Sequence, residues 1–259
     1  MPLIRANETD IEYQIDGPVG APVLVLINSI ATDMHVWTHV MPTLVTRFRV
    51  LRYDARGQGR SAAPGGEYTL GLMAGDLLAL LDALDIERAQ LCGVSLGAMV
   101  AMRVALDAPR RVERLILCNT AAYVGPPEAW NARAAAVQEQ GMVPVREALL
   151  ARWLSATFRD ANPVQTTQLA DAVQSSPAAG YIGACAAIRD MDLRHDIAAI
   201  AIPTLVVTSS DDLATPPAEG QYIASRISGA RVIELAGGHL SNIEQPKRLA
   251  DEIMRFAVA

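Results

Sequence analysis

The stretch AQLCGVSLGAMVAMRVAL, residues 89–106, decides the fold. Ala89 to Val94 is a short apolar run of strand character, and Leu96 to Leu106 reads as a helix. Between them stands Gly93-Val94-Ser95-Leu96-Gly97, a G-x-S-x-G sequence in strand–turn–helix context. A turn this tight leaves room only for small flanking residues, which accounts for the two glycines. It lifts the Ser95 hydroxyl out of the sheet and brings the Leu96 amide toward the same reacting oxygen. The motif alone occurs often by chance. Its context makes Ser95 a candidate nucleophile, against the alternative of a merely structural glycine-rich turn.

Outward from this turn, short β-branched runs alternate with segments of helical period. Ile11 to Ile15 alternates apolar and polar like a half-exposed edge strand, while Val23 to Ile27 is continuous and apolar like a strand buried on both faces. Phe48 to Tyr53 and Val112 to Cys118 read as further strands. Thr69 can cap a helix whose apolar stripe falls at Leu70, Met73, Leu77, Leu80, Leu81 and Leu84. From about Pro126 to Arg194 the pattern is Ala-rich and helical, with breaks at Gly141, Pro144, Pro163 and Pro177 and no convincing strand. Thr204 to Thr208 and Arg231 to Leu235 restore the strand pattern, and Pro246 to Phe256 supplies a last amphipathic helix. The expected class is α/β: a mostly parallel sheet covered by helices on both faces, with an inserted helical cap. Residues 1–122 and 196–259 are assigned to the core and 123–195 to the cap.

Composition agrees with a folded enzyme-sized chain. The 259 residues are 51% hydrophobic and 19% charged, which excludes a disordered chain. A net charge of -6 argues against nucleic-acid binding, which needs a concentrated basic surface. Cys92, Cys118 and Cys185 are too few and too dispersed for a disulfide framework or a zinc site, and the first two read as buried thiols. The longest strand-like run, Val23 to Ile27, is far short of a membrane span, and residues 1–8 lack the basic-then-apolar order of a signal peptide. A cytoplasmic protein is the expectation.

A serine hydroxyl is a poor nucleophile at neutral pH and needs a base. Of four histidines, His35 and His39 follow the first buried strand and His195 ends the helical insertion. His239 stands in Gly237-Gly238-His239-Leu240, directly after the last strand, and is the expected base; a surface-loop histidine is the alternative. The acid is expected in Thr208-Ser209-Ser210-Asp211-Asp212, where Asp212 is preferred to Asp211 because it stands four residues before Pro216. The order Ser95, Asp212, His239 is that of α/β-hydrolases rather than of trypsin-like or subtilisin-like enzymes. A second oxyanion donor beside Leu96 is expected from the Ile30 amide, since Asn28-Ser29-Ile30 follows the first buried strand. Asn28 and Ser29 either shape that loop or satisfy local backbone groups. Tyr53-Asp54-Ala55-Arg56-Gly57-Gln58-Gly59 lacks the P-loop Lys-Ser/Thr and reads as an Asp/Arg-braced turn rather than a nucleotide site.

Taken together these residues resemble the α/β-hydrolase family and, more narrowly, the bacterial 3-oxoadipate enol-lactonases. The marks are Asn28-Ser29 with Thr32-Asp33 and Trp37, then Arg49 to Asp54, Asn119 to Ala122, Gly125-Pro126-Pro127 and Trp130 to Arg133. Arg189 to Arg194, Ala214 to Pro217 and Gly238 to Asn242 complete the set, so the likeness runs through the insertion. Five positions depart from it: Ala31 and Ala98 stand where Gly is expected, Gln58 replaces His, and Gly237-Gly238 replaces a bulkier pair.

The resemblance implies a serine hydrolase that opens a carboxylated enol-lactone through an acyl-enzyme, without metal or organic cofactor, in the breakdown of aromatic compounds. Such a small anionic ester or lactone should meet a cation. Arg133 and Arg189 in the cap are the candidates, with Trp130 or Trp153 as an apolar wall. The alternative for each arginine is solvation or pairing with acids of the cap. For the whole chain, a broad esterase or lactonase acting on neutral substrates and a slow, ligand-sensing hydrolase-fold protein stay open. Oligomeric state is not legible in the sequence.

Overall fold

The computed structural model describes residues 1–257. Its strands are β1 (Leu3–Ala6), β2 (Thr9–Asp16), β3 (Val23–Ile27), β4 (Arg49–Tyr53), β5 (Ala89–Val94), β6 (Val112–Cys118), β7 (Thr204–Ser209) and β8 (Arg231–Leu235). The helices of the α/β part are α1 (Met41–Leu44), α2 (Leu70–Ala83) and α3 (Leu96–Asp107) before β6, with α9 (Pro217–Arg226), α10 (Ser241–Glu244) and α11 (Pro246–Ala257) after β7. Between β6 and β7 run α4 (Pro127–Gln140), α5 (Val143–Trp153), α6 (Ala156–Ala161), α7 (Pro163–Ser175) and α8 (Ala178–Arg189).

The eight strands form one sheet in the order β1-β2-β4-β3-β5-β6-β7-β8. β1 with β2 and β2 with β4 are antiparallel, and every later pairing is parallel. This is the α/β-hydrolase fold. All residues of β5 and β7 are buried, as continuous apolar strands covered by helices on both faces must be. β5 lies between β3 and β6, so the turn that follows it opens at the middle of the sheet's C-terminal edge. Cys92 in β5 and Cys118 in β6 are buried there, and Cys185 is buried in α8.

α2 forms where the apolar stripe predicts it, and the Thr69 hydroxyl accepts the Leu72 amide at its start. Its buried face also holds Asp76, which is compensated by Arg56 (Nε to Oδ2 2.5 Å, Nη2 to Oδ1 2.6 Å) and by the Asn7 amide. Arg56 thus braces its turn as expected, through a helix rather than within the turn. Three details differ from the sequence reading. β1 is a four-residue edge strand with no apolar run to mark it, and α9 is a mostly exposed helix with only Gly220 and Ile223 buried. Pro144 and Pro163 do not break helices but sit in the first turns of α5 and α7, where the missing N–H costs nothing.

The insertion is tied to the α/β part at several points. Tyr123 and Asp192 form a single antiparallel bridge at its base, and the Leu193 amide donates to the Ala122 carbonyl at 2.8 Å. One apolar cluster continues from the sheet into Trp130, Leu149, Trp153 and Val173. At Gly180 of α8 a Cβ would stand 2.1 Å from the Gly57 carbonyl oxygen, so the helix seats directly on that loop. Among the described residues no helix is long and apolar enough to cross a membrane.

Candidate active site

Ser95 occupies the turn between β5 and α3 at φ 56, ψ -119, a left-handed conformation that an L-residue holds only when its surroundings impose it. They do so on three sides. The Ser95 amide donates to the Cys118 carbonyl at 2.9 Å, and the Ser95 carbonyl accepts the Thr120 hydroxyl at 3.0 Å. The flanking glycines are fixed by contact distance: a Cβ on Gly97 would lie 2.2 Å from the Ile27 carbonyl oxygen, and one on Gly93 2.3 Å from the Gly97 backbone. Leu96 is the first residue of α3, so its N–H has no intrahelical acceptor and points from the positive end of the helix dipole.

His239 follows β8, is 1% exposed, and places Nδ1 2.9 Å from Oδ2 and 3.0 Å from Oδ1 of Asp212. A ring nitrogen facing a carboxylate carries the proton, which leaves Nε2 as the acceptor. Asp212 also accepts the Ala214 and Thr215 amides, the Thr215 hydroxyl and the Asn119 side-chain amide. Burial alone would raise its pKa. The His239 charge and hydrogen bond, with those from Thr215 and Asn119, outweigh burial and hold the carboxyl below its ordinary range. Asp211 is exposed and meets the Gly237 carbonyl through its amide instead, so of the two it is Asp212 that lies against His239.

The loop after β3 is braced by its own polar side chains. The Asn28 amide donates to the Tyr53 carbonyl at 2.9 Å, and its oxygen accepts Trp37 Nε1 at 3.1 Å. Gln58 Nε2 and the Thr32 hydroxyl both donate to the Ser29 carbonyl. Ala31, at φ 55, turns the chain where a glycine would sit without strain. This turn leaves Ile30 on the wall of the cavity that contains Ser95 and His239.

That cavity measures about 210 Å³ and lies under the inserted helices. Trp130, Arg133 and Trp153, three of the cap residues singled out in the sequence, line it, and so does Arg152, which the sequence reading did not single out. The Trp153 ring stacks on His239 (centroids 6.4 Å apart, planes at 24°), and the Trp153 carbonyl accepts the Leu240 amide. The Arg133 guanidinium lies 4.7 Å over the Trp130 ring. Arg189 is not on this wall. Its guanidinium is taken by Glu67, Asp190 and Asn131, so the alternative of pairing with acids describes it and the expected carboxylate role does not fit. His35 pairs with Asp33 and His39 meets Gln165 beside a separate, more open groove of about 370 Å³ that contains neither Ser95 nor His239. His195 is exposed.

Asn119 and Thr215 were missed as well. Both touch Asp212, Asn119 through its amide and Thr215 through two donors, and the parallel pairing of β6 with β7 is what brings the residue after one strand to the residues after the next.

The alpha/beta hydrolase fold family matches residues 22–246. The chain belongs to the alpha/beta hydrolase family. This hydrolase is 33% identical to 3-oxoadipate enol-lactonase 2 of Acinetobacter baylyi over 244 residues, 94% of this chain and 91% of the relative. Its structure matches that of the enol-lactonase from Burkholderia xenovorans LB400 with a TM-score of 0.98 at 40% identity, covering 100% of both chains. The RutD protein of Klebsiella pneumoniae (strain 342), named for carbamate hydrolysis, is 30% identical over 239 residues, 86% of each chain. The likeness of this hydrolase to enol-lactonases, read from scattered segments of its sequence, therefore extends over nearly the whole chain.

Proposed function

We propose that the protein hydrolyses a small carboxylated enol-lactone, converting 3-oxoadipate enol-lactone and water to 3-oxoadipate in the breakdown of aromatic compounds. Residues 1–122 and 196–259, of which 258 and 259 lie outside the described residues, serve as the catalytic core and 123–195 as the cap over the cavity. The observation that carries this reading is that Ser95 and His239, the latter held by Asp212, line one small cavity walled by tryptophan and arginine. The enol-lactonase relatives support the choice of substrate.

In this mechanism His239 Nε2 takes the Ser95 proton as Oγ attacks the lactone carbonyl. The tetrahedral oxyanion rests on the Ile30 and Leu96 amides. Collapse breaks the ring C–O bond and expels an enolate, which stays attached as part of the acyl-enzyme, takes up a proton and becomes the ketone. Water, losing a proton to His239, then attacks the acyl carbon and frees Ser95. Asp212 keeps the imidazole in the productive tautomer and stabilises its cation. The substrate is thus a small molecule bound without nucleic acid, membrane or cofactor in the reaction.

The test is to generate the enol-lactone in situ and follow its loss beside a simple aryl acetate. Rapid loss of both is expected, with Ser95→Ala lowering kcat roughly 10⁴-fold or more on each. Cleavage of the acetate without the lactone would overturn the substrate and keep the hydrolase. The likeness to a protein named for carbamate hydrolysis favours one second reading, a carbamate or neutral ester as substrate, which the same assay decides by adding those compounds.

A further inference from the structure

The catalytic cavity adjoins a second, wider one of about 450 Å³. Five residues line both: Val124, Gly125 and Pro126 on one side of the seam, Ala214 and Thr215 on the other. Both lips of the seam are fixed. The Val124 carbonyl accepts Trp130 Nε1 at 2.8 Å, and the Ala214 and Thr215 amides each donate to Asp212 Oδ1 at 2.8 Å. The seam also adjoins the imidazole, because the Thr215 hydroxyl lies 3.2 Å from His239 Nδ1. In ester hydrolysis the departing oxygen takes its proton from the histidine, so the alcohol part of an ester lies on the histidine's side of the carbonyl. The outer cavity begins on that side. Glu219, half-buried in the first turn of α9, is the one charged side chain on its lining, and it forms no salt bridge among the described residues. Arg194, stacked 4.2 Å over the neighbouring Tyr123 ring, is already held by Asp192 through two hydrogen bonds. An unpaired carboxylate on a mostly apolar wall projects its field into the space beside it. An acid in a first helical turn also suits the helix dipole, but that role alone has no effect on substrate choice.

We propose that this outer cavity is a subsite for the alcohol part of acyclic esters, and that Glu219 makes it favour cationic over anionic groups. The inference rests on the serine-hydrolase reading and adds an activity to it, the cleavage of esters whose alcohol carries an ammonium group. Ser95 Oγ attacks the ester carbonyl and gives its proton to His239. The C–O bond to the alcohol breaks, and the alcohol oxygen takes that proton as it leaves through the outer cavity. Water then attacks the acyl carbon, losing a proton to His239, which returns it to Ser95 as the acid departs. A small lactone has no separate alcohol to place there, since its leaving oxygen stays tethered to the acyl group. The two substrate classes therefore share Ser95 and His239 and differ in whether Glu219 is felt.

The experiment compares three acetate esters of similar length whose alcohol ends in a trimethylammonium, a tert-butyl or a carboxylate group. Each kcat/KM is divided by that for phenyl acetate, measured on the same preparation. At low ionic strength the wild-type protein should favour the ammonium ester over the carboxylate ester about ten-fold or more, with the neutral ester between them. Glu219→Gln should cut this ratio several-fold, Glu219→Lys should bring it to one or below, and high salt should shrink it in the wild type. A wild-type ratio near one would overturn the proposal. So would a ratio that both variants leave as it was, the result expected of an acid that serves only the helix dipole. If neither variant folds, the wild-type ratio and its response to salt decide. Failure to cleave any ester, phenyl acetate included, would overturn the hydrolase reading and this one together. Failure to open the enol-lactone alone would sink that substrate and leave this result standing.

Discussion

In the proposed mechanism Asp212 serves as an orienter and not as a base, and its surroundings suit that part. Five neighbouring donors surround it: His239 Nδ1, two backbone amides, the Thr215 hydroxyl and the Asn119 amide. Because its folded pKa lies below the ordinary value of 3.8, the ionised form stabilises the fold above that value. This contribution is lost as pH falls from 3.8 toward the depressed folded value. Asp212→Asn should lower kcat roughly 10⁴-fold, since an amide can present the wrong group to Nδ1 and invert the tautomer. The same variant should show a weaker loss of stability below pH 4 than the wild type, read from urea midpoints at a series of acid pH values. An unchanged acid limb would contradict this account of the carboxylate.

Residues on motifs were legible because their chemistry is local. Ser95 is announced by two glycines whose Cβ atoms would collide with backbone, and His239 by its place after the last strand. Asn119, Thr215 and Arg152 were not legible, because their roles depend on which strands are neighbours and on how α5 lies over the cavity. For Arg189 the sequence left ligand binding and pairing with acids both open for the same reason: its partner Glu67 is 122 residues away, on a loop of the α/β part that no pattern within the insertion announces.

At the scale of elements, the junction of α5 and α6 is pinned to the short helix α10, which begins two residues after His239. Glu244 of α10 accepts the Ser155 amide and the Ser155 hydroxyl, both at 2.7 Å. Gly238 has no side chain because the Trp153 carbonyl and Glu244 Oε1 would stand 2.6 and 2.7 Å from its Cβ. Trp153, which stacks on His239, is thus held through its carbonyl by the Leu240 amide and, two residues on, through Ser155 by Glu244. Glu244→Ala removes two charge-assisted bonds and leaves the Ser155 amide in a half-buried place. The expected cost is about 1.5–3 kcal/mol in urea unfolding, together with a fall in kcat/KM on an aryl acetate. Glu244→Gln, which keeps one acceptor, should recover part of both. An Ala variant as stable and active as the wild type would show that this corner is not needed to position the imidazole.

The elements themselves were read well where burial is complete and poorly where it is not. β3, β5, β7 and the Leu115–Cys118 end of β6 are buried runs, mostly apolar, while β1 and α9 are edge or surface elements whose composition is ordinary for loops. The prolines of the insertion misled because a proline ends one helix and begins another with equal ease, and the sequence does not say which.

On the scale of the whole molecule, the protein is one apolar cluster with two kinds of covering: a sheet sandwiched by helices, and five helices laid over its active edge. Its three thiols are distributed between these two parts. Cys92 is pushed well up by burial and by its neighbour Cys118, and Cys185 is pushed up to about 12 by burial, so neither presents a thiolate at neutral pH. The chain therefore carries its own chemical clock. A thiol reagent can react only when structure opens, with Cys185 timing the helical cover and Cys92 and Cys118 timing the central strands. In low urea, mass spectrometry of alkylated peptides should find Cys185 modified first. Simultaneous modification at all three would mean that cover and sheet come apart as one cooperative unit.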